Sequence, residues 1–564
     1  MDRILLAEIV LLCLNGGIYD HTFALYGAVF SAGLLTVAKR HKEIRIPLNI
    51  TSYGIGAIFL GYVISIFVAN DRGMAFIGCI RMVMMAGFWL LWNNLKPIYR
   101  EQIISRLPDT AALLTAMTVL LYSVPAAKEY LYRAGRMGGV FQYSNTYAVF
   151  LLVSLVILFY REKRDCREYA KAGVLVAGIV FCGSRSVLVL AVAVILYLLI
   201  SDQENRKRWL WILGITLVFC ACVQTLMGLD VERLGKMTLD SSTLNGRFLY
   251  WQDSLPVIAA NPLGLGYMGY YYLQPQFQTG NYVTRFVHND ILQMGLDAGV
   301  IPMIALAVMI VGNVWRLNHS ANLAKEAEGH TVIHDLRYAR CRQVVLVILA
   351  VRSLFDFDLQ FGVMFLVMLM CMDGGKEKVY KWNGKCACAV CTGVLIVCIY
   401  FSIALGISRL GMNEASLAWY PFYTEAREVA MQEQEGGEYA EILIEANGML
   451  AEAYEYAAKG HLESGEYLEA LEDVQGMLKT AGYGIRYYNQ AVYDLSICLD
   501  MAVRSEDYEG VKRILEEIRG VPGMLEDLRE QTSGLAYRIH DKPVFELDEE
   551  IREYIENLSG VSLT

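Results

Sequence analysis

Beyond Leu410 the chain lacks any apolar run long enough to cross a bilayer, which takes about 20 residues. It is also poor in basic residues there: residues 411–564 hold 12 Lys and Arg against 32 Asp and Glu, a net charge of −20. That stretch is expected to be a soluble tail, and its charge argues against nucleic acid and anionic lipid as partners. Cysteine is almost missing from it as well. Of 13 cysteines only Cys498 falls there, which excludes a disulfide framework in the tail. With 8 histidines in all, no Cys/His/Asp grouping has sound metal-ligand spacing. Cys386, Cys388, Cys391 and Cys398 have no nearby His and open an apolar run, so they read as buried or lipid-facing thiols. No metal or cofactor is expected. The first apolar run, 4–14, is followed by no small-residue cleavage site, so no cleavable leader is expected.

What the first 410 residues do have is a net charge of +11 and a succession of apolar runs between short, mostly basic loops. The runs are 4–17, 20–38, 52–69, 73–93, 107–124, 139–160, 168–184, 186–202, 209–227, 289–312, 342–355, 359–373 and 386–408. Basic loops mark the cytoplasmic side. Placing the six at 39–45, 96–106, 161–167, 206–208, 316–342 and 376–385 inside requires an even number of crossings between them, which these runs supply. The expectation is an all-α membrane protein with about 13 transmembrane helices and its N-terminus inside. Residues 1–410 form the polytopic domain, with a large exterior loop at 228–288, and residues 411–564 form an exterior acidic helical domain.

Several exterior arginines run against the inside preference for positive charge, among them Arg133, Arg136, Arg185, Arg233, Arg247 and Arg285. Arg185 is the only charge between Lys171 and Asp202, a stretch barely long enough to cross twice. An ionisable residue at membrane depth costs about 2.5–3.5 kcal/mol on insertion scales and calls for a partner or ligand. Guanidinium forks suit phosphate oxygens and keep their charge in any surroundings. Arg185 and Arg247, with Arg136 or Arg285, would therefore make a diphosphate site at the lipid–water boundary. His288 opens the next run, where an imidazole can take a proton from a hydroxyl near neutral pH. Its alternative is a helix cap, a task Asn289 and Asp290 can perform unaided. Asp356 and Asp358 form a DxD pair, weak as a metal signal without a phosphate-binding glycine loop. Trp251 and the Tyr270–Tyr272 run stack on sugar faces or lie in the aromatic belt; both readings stay open.

Taken in order, these pieces resemble the O-antigen ligase and O-antigen polymerase family of bacterial membrane glycosyltransferases. They are Gly139-Val140-Phe141 with Asn145; Gly183-Ser184-Arg185-Ser186; Arg247 with Trp251; Asn261-Pro262-x-Gly264-x-Gly266; His288-Asn289 with Leu292-Gln293 and Gly299; and Leu354-Phe355-Asp356-Phe357-Asp358. They extend over 139–358, while the first 130 residues match only in hydropathy. The resemblance implies a GT-C type fold in the cytoplasmic membrane. It also implies transfer of a glycan from an undecaprenyl diphosphate carrier to an acceptor hydroxyl on the outer face, without metal or nucleotide sugar. The acceptor would be a glycan or a lipid, and polymerase and ligase are not separated by sequence. Carried over, Arg185 and Arg247 would hold the diphosphate and offset its departing charge. His288 would be the base on the acceptor or orient the substrate, Asn289 lies in the same motif, and Asn145 would line the site. Arg136 and Arg285 fall near the motifs rather than on matched positions.

In the tail, residues 451–471 have a helix–turn–helix rhythm similar to tetratricopeptide repeats, with a second copy through 506–522; a plain helical bundle is the alternative. Such a tail usually docks a protein partner. Two further functional readings remain. A transporter or flippase for an anionic or lipid-linked substrate would bury charges within several spans and repeat its halves. A scaffold would make Arg185 and His288 dispensable.

Overall fold

The computed structural model describes residues 17–161, 165–201, 206–227, 242–326, 330–372, 378–434 and 437–559. The chain is mostly helical. Twelve expected apolar runs meet helices; the run 4–17, but for Gly17, and Arg233 lie outside the described residues. Six helices are long and apolar enough to cross a membrane by length and composition: Asp20–His41, Ile50–Val68, Arg72–Asn93, Pro97–Ser123, Val300–Asn322 and Gly384–Arg409. Ser144–Phe159, Arg185–Ser201 and Gly362–Cys371 are shorter apolar helices beside them. Side chains start two of the long helices. Asn49 accepts from the Ser52 amide (2.9 Å) and Asp71 from the Met74 amide (2.9 Å), each satisfying an orphan donor of a first turn. At the basic end of the bundle, strand Glu43–Pro47 pairs antiparallel with Val379–Asn383, tying the Asp20–His41 helix to the Gly384–Arg409 helix. Those two helices pack closely: a Cβ on Gly27 would come within 2.9 Å of Cys398 Sγ. Cys391 and Cys398 are buried thiols, whereas Cys386 is exposed.

The expected single run 289–312 is two helices, Asp290–Ala298 and Val300–Glu326, broken at Gly299 with φ +98°. The cause is the Asn261–Gly266 turn. Its Leu265 and Gly266 amides donate to the carbonyls of Leu296 (2.6 Å) and Asp297 (3.0 Å), closing the end of the first helix. The Val300 amide in turn donates to Pro262 O (3.0 Å). A Cβ at Gly299 would lie 2.4 Å from that same carbonyl, so only glycine fits. The described part of the 228–288 insert contains the helices Ser242–Ala260 and Gly269–Phe277.

The tail has a separate core around Leu471, Val474, Leu495, Cys498, Ile514 and Ile518. Its centre is two helical hairpins, Ala451–Ser464 with Tyr467–Thr480 and Ile485–Arg504 with Tyr508–Gln531. Tyr467 and Tyr508 each open the second helix of a pair, and the Tyr467 hydroxyl donates to Asp507 (2.6 Å). The tail meets the rest of the fold near its start, near its end and between them, where a Cβ on Gly482 would come within 2.9 Å of Pro275. Near its start, Thr424 and Asn447 donate to Asp71, and Tyr420 donates to the Gly73 carbonyl (2.9 Å). Near its end, the Ser533 amide donates to Thr279 O (2.9 Å), and Ala536 and Ile539 pack with Leu249 and Tyr282.

Candidate active site

Asp356 is the centre of the site. It lies in the turn between His330–Ser353 and Gly362–Cys371 and is 0% exposed. Its Oδ2 accepts from Arg352 (2.7 Å), Asn145 (3.0 Å) and Arg247 (3.1 Å). Its Oδ1 accepts from Tyr143 (3.0 Å) and pairs with His288 Nδ1 (3.0 Å). Burial works against the carboxylate, yet Arg352, His288 and Arg247 together hold its pKa well below the usual range. With Asp356 ionised, Nδ1 of His288 carries the hydrogen, which leaves Nε2 as a proton acceptor. Asp358, two residues on, accepts from Arg352 (2.9 Å) and Thr146 (2.6 Å). The DxD pair is thus engaged by guanidinium, amide, imidazole and hydroxyl donors.

His288 is held in the left-handed region at φ +53°, rare for a residue with a side chain and common at functional sites. Both neighbours fix it. The Val287 amide donates to Gln293 (2.9 Å), and the Val287 carbonyl accepts from the Trp251 indole (3.1 Å). Asn289 performs the capping, accepting from the Ile291 and Leu292 amides at 3.0 Å each, and its amide group donates to Leu354 O (3.1 Å). His288 is therefore free of that task. Its ring packs edge-on to Phe357 (4.8 Å between centroids) and lies 6.1 Å from the Tyr250 ring.

The Ser242–Ala260 helix brings Arg247 in from the insert. Arg247 is 8% exposed, and its buried Nε has no hydrogen-bond partner among the described residues. Leaving a buried donor unpaired costs about 1–3 kcal/mol, more when it is charged, so such an atom asks for a ligand. Arg136 joins the cluster from behind, donating to Asn145 Oδ1 (2.7 Å) and the Cys182 carbonyl (2.9 Å). That carbonyl belongs to the turn that introduces Arg185, whose neighbour Ser186 accepts from Arg352 (2.7 Å). Ser184 Oγ, on the other side of Arg185, is buried and unpaired among the described residues.

Arg136, Asn145, Arg247 and His288 are thus brought into one hydrogen-bonded set with Asp356, Trp251 and Asn289 hold the Val287 and Leu354 carbonyls beside it, and the Arg185 turn is fastened to it. Arg285 is engaged elsewhere: it donates to Glu425 of the tail (2.5 Å) and to the Tyr267 hydroxyl (3.2 Å). Trp251 is used by its Val287 bond and by packing against Phe355, and of the tyrosine run Tyr270 and Tyr272 are buried. Sequence reasoning missed two residues. Arg352 is 2% exposed within an apolar run, the same signal that singled out Arg185. Asp356 was read as half of a weak metal motif and as part of a family motif, without a role of its own.

Residues 170–307 match the family model described as O-antigen ligase. The resemblance read from the motifs is shown over that segment, and it supports a glycan-transfer role at a membrane. The segment contains Arg185, Arg247, Trp251, His288 and Asn289, and leaves out Arg136, Asn145, Arg352 and Asp356. No curated protein matches the chain.

Proposed function

We propose that the protein transfers a glycan from an undecaprenyl diphosphate carrier to an acceptor hydroxyl on the outer face of the cytoplasmic membrane, as a surface-polysaccharide polymerase or ligase. In this reading the bundle is a GT-C type domain of thirteen spans, the tail is exterior, and the tail's hairpins are tetratricopeptide-like. The observation that carries the reading is the unpaired Arg247 Nε in the same cluster where Asp356 orients His288.

The chemistry follows from the groups present. Arg136, Arg247 and Arg352 gather around the Asn145–Asp356–Asp358 cluster, and in this reading Arg185, at the start of the adjoining helix, adds positive charge for a diphosphate. Arg247 and Arg185 hold the phosphates. His288 Nε2 takes the acceptor proton as the acceptor oxygen bonds to the anomeric carbon. The bond from that carbon to the phosphate oxygen breaks, and its electron pair leaves with the diphosphate, where the guanidiniums offset the charge. Attack opposite the leaving group inverts the anomeric centre.

Alanine at Arg185, Arg247 or His288, each in separate variants, is expected to lower glycan transfer by about 100-fold or more at normal expression. Membranes supplied with the carrier-linked oligosaccharide and read by mass spectrometry would measure this. The same spectra distinguish repeat units joined to one another from a glycan handed to another acceptor. Wild-type product from all three variants would overturn the proposal.

A further inference from the structure

Another buried arginine, Arg81, lies midway along the apolar Arg72–Asn93 helix and is 2% exposed. It binds three pieces of chain that are far apart in sequence. One terminal nitrogen donates to Asp20 (2.6 Å) and to the Ile18 carbonyl (3.1 Å); the other donates to the Gln360 carbonyl (3.0 Å). Its guanidinium carbon lies 3.8 Å from the centre of the Phe23 ring and 4.8 Å from that of Tyr267. Gln360 is four residues from Asp356, and the short Asp358–Gln360 helix joins them. Arg81 thus holds the far end of the turn that carries the site's central carboxylate.

The chain of bonds continues toward the tail. Asp20 also accepts from the Tyr267 hydroxyl (3.0 Å), and that oxygen accepts from Arg285 (3.2 Å). Arg285 then donates to Glu425 (2.5 Å), the second residue of the Thr424–Gln434 helix. Its neighbour Thr424 is bonded to Asp71, the cap of the very helix that carries Arg81. From the tail to the Asp356 turn, every link is a hydrogen bond between named atoms, and among the described residues none of the polar side chains in it has a buried atom left unpaired.

We propose that Arg81 is a positioning residue for the reaction centre, and that the tail sets its hold through Glu425, Arg285, Tyr267 and Asp20. Docking of the tail then completes the centre by fixing the 354–361 turn, and with it the direction in which Asp356 presents His288. The claim about the reaction rests on the glycan-transfer reading; the claim about the turn does not. A misplacement of about 1 Å at a reacting group costs on the order of 100-fold in rate, so a loosened turn is felt in kcat. Carrier affinity rests on Arg247 and Arg185, so KM is expected to hold.

The test uses the full-length protein in detergent or nanodiscs. Hydrogen–deuterium exchange over 354–361 is compared among the parent, Arg81→Lys, Glu425→Gln and Arg285→Gln. Faster exchange in that segment is expected in all three variants, with kcat lowered about 10-fold or more and KM unchanged. Arg285→Lys keeps a cationic donor for both Tyr267 and Glu425. It is expected to retain slow exchange that Arg285→Gln loses, a difference that general destabilisation does not give. If Arg81→Lys does not fold, the more accessible Glu425→Gln decides. Unchanged exchange over 354–361 in Glu425→Gln overturns the linkage, whatever the reaction proves to be. Faster exchange in a protein whose parent transfers no glycan supports the linkage and overturns only the reaction reading.

Discussion

Arg81 and Arg352 are each 2% exposed, and each is paired with a carboxylate inside the same bundle. Around Arg81 the bonding is closed: Asp20, Tyr267 and two backbone carbonyls use the available polar atoms, and none of these side chains has a buried atom left over. Around Arg352 it is open. Arg247 has an unpaired Nε, Ser184 an unpaired hydroxyl, and His288 a strained backbone with its side chain 21% exposed. Buried ion pairs add little net stability against apolar alternatives, but removing one partner is costly. A closed cluster is therefore an anchor, and an open one with strain is a place where something binds.

The comparison breaks most visibly at Asp356. Asp356→Asn leaves Arg352 and Arg247 facing a neutral group, and loss of a partner from such a cluster costs about 3–5 kcal/mol. A large fall in thermal stability in detergent is expected together with loss of transfer, whereas Arg247→Ala should lose transfer with a much smaller fall. Equal stability of Asp356→Asn and the parent would show that Asp356 is not the hub. Next in size is Gly299→Ala. Its φ of +98° and the 2.4 Å approach to Pro262 O force the Asp290–Ala298 helix to shift, at about 1–3 kcal/mol of strain. Thermal midpoints should drop and transfer should fall through His288, which precedes that helix.

The smallest effect concerns the tail contact. Burial, with Glu425 and Asp71 nearby, pushes the Glu428 carboxyl from an ordinary 4.5 up to about 8. The folded protein therefore keeps a proton that the unfolded chain releases, and stability should fall as pH rises from about 4.5 to about 8. Glu428→Gln should flatten that slope in thermal midpoints measured across the window. An identical slope would place the titration elsewhere.

Much of the bundle was legible because apolar runs and basic loops alternate, a pattern set by local sequence. Arg247 and His288 were legible because motif spacing and exposure at a run's end are also local. Asp356 and Arg352 were harder. The carboxylate's meaning comes from Arg247 and His288, 109 and 68 residues away. Arg285 was read as facing the ligand because its partner Glu425 lies 140 residues downstream. The break at Gly299 was invisible for a similar reason. A glycine in an apolar run does not stop a helix by itself; the Asn261–Gly266 turn supplies the competing hydrogen bonds.

The footings at the tail's two ends, Thr424 and Asn447 on Asp71 and Ser533 on Thr279, make it a bridge with an abutment at each end and a pier between them at Gly482 against Pro275. A bridge cannot swing as a hinged arm does. Whatever its hairpins carry is presented at a set offset from the bundle, and movement is limited to flexing of the arch. Should one abutment let go, the other keeps it within reach, so re-seating is an intramolecular event at high effective concentration.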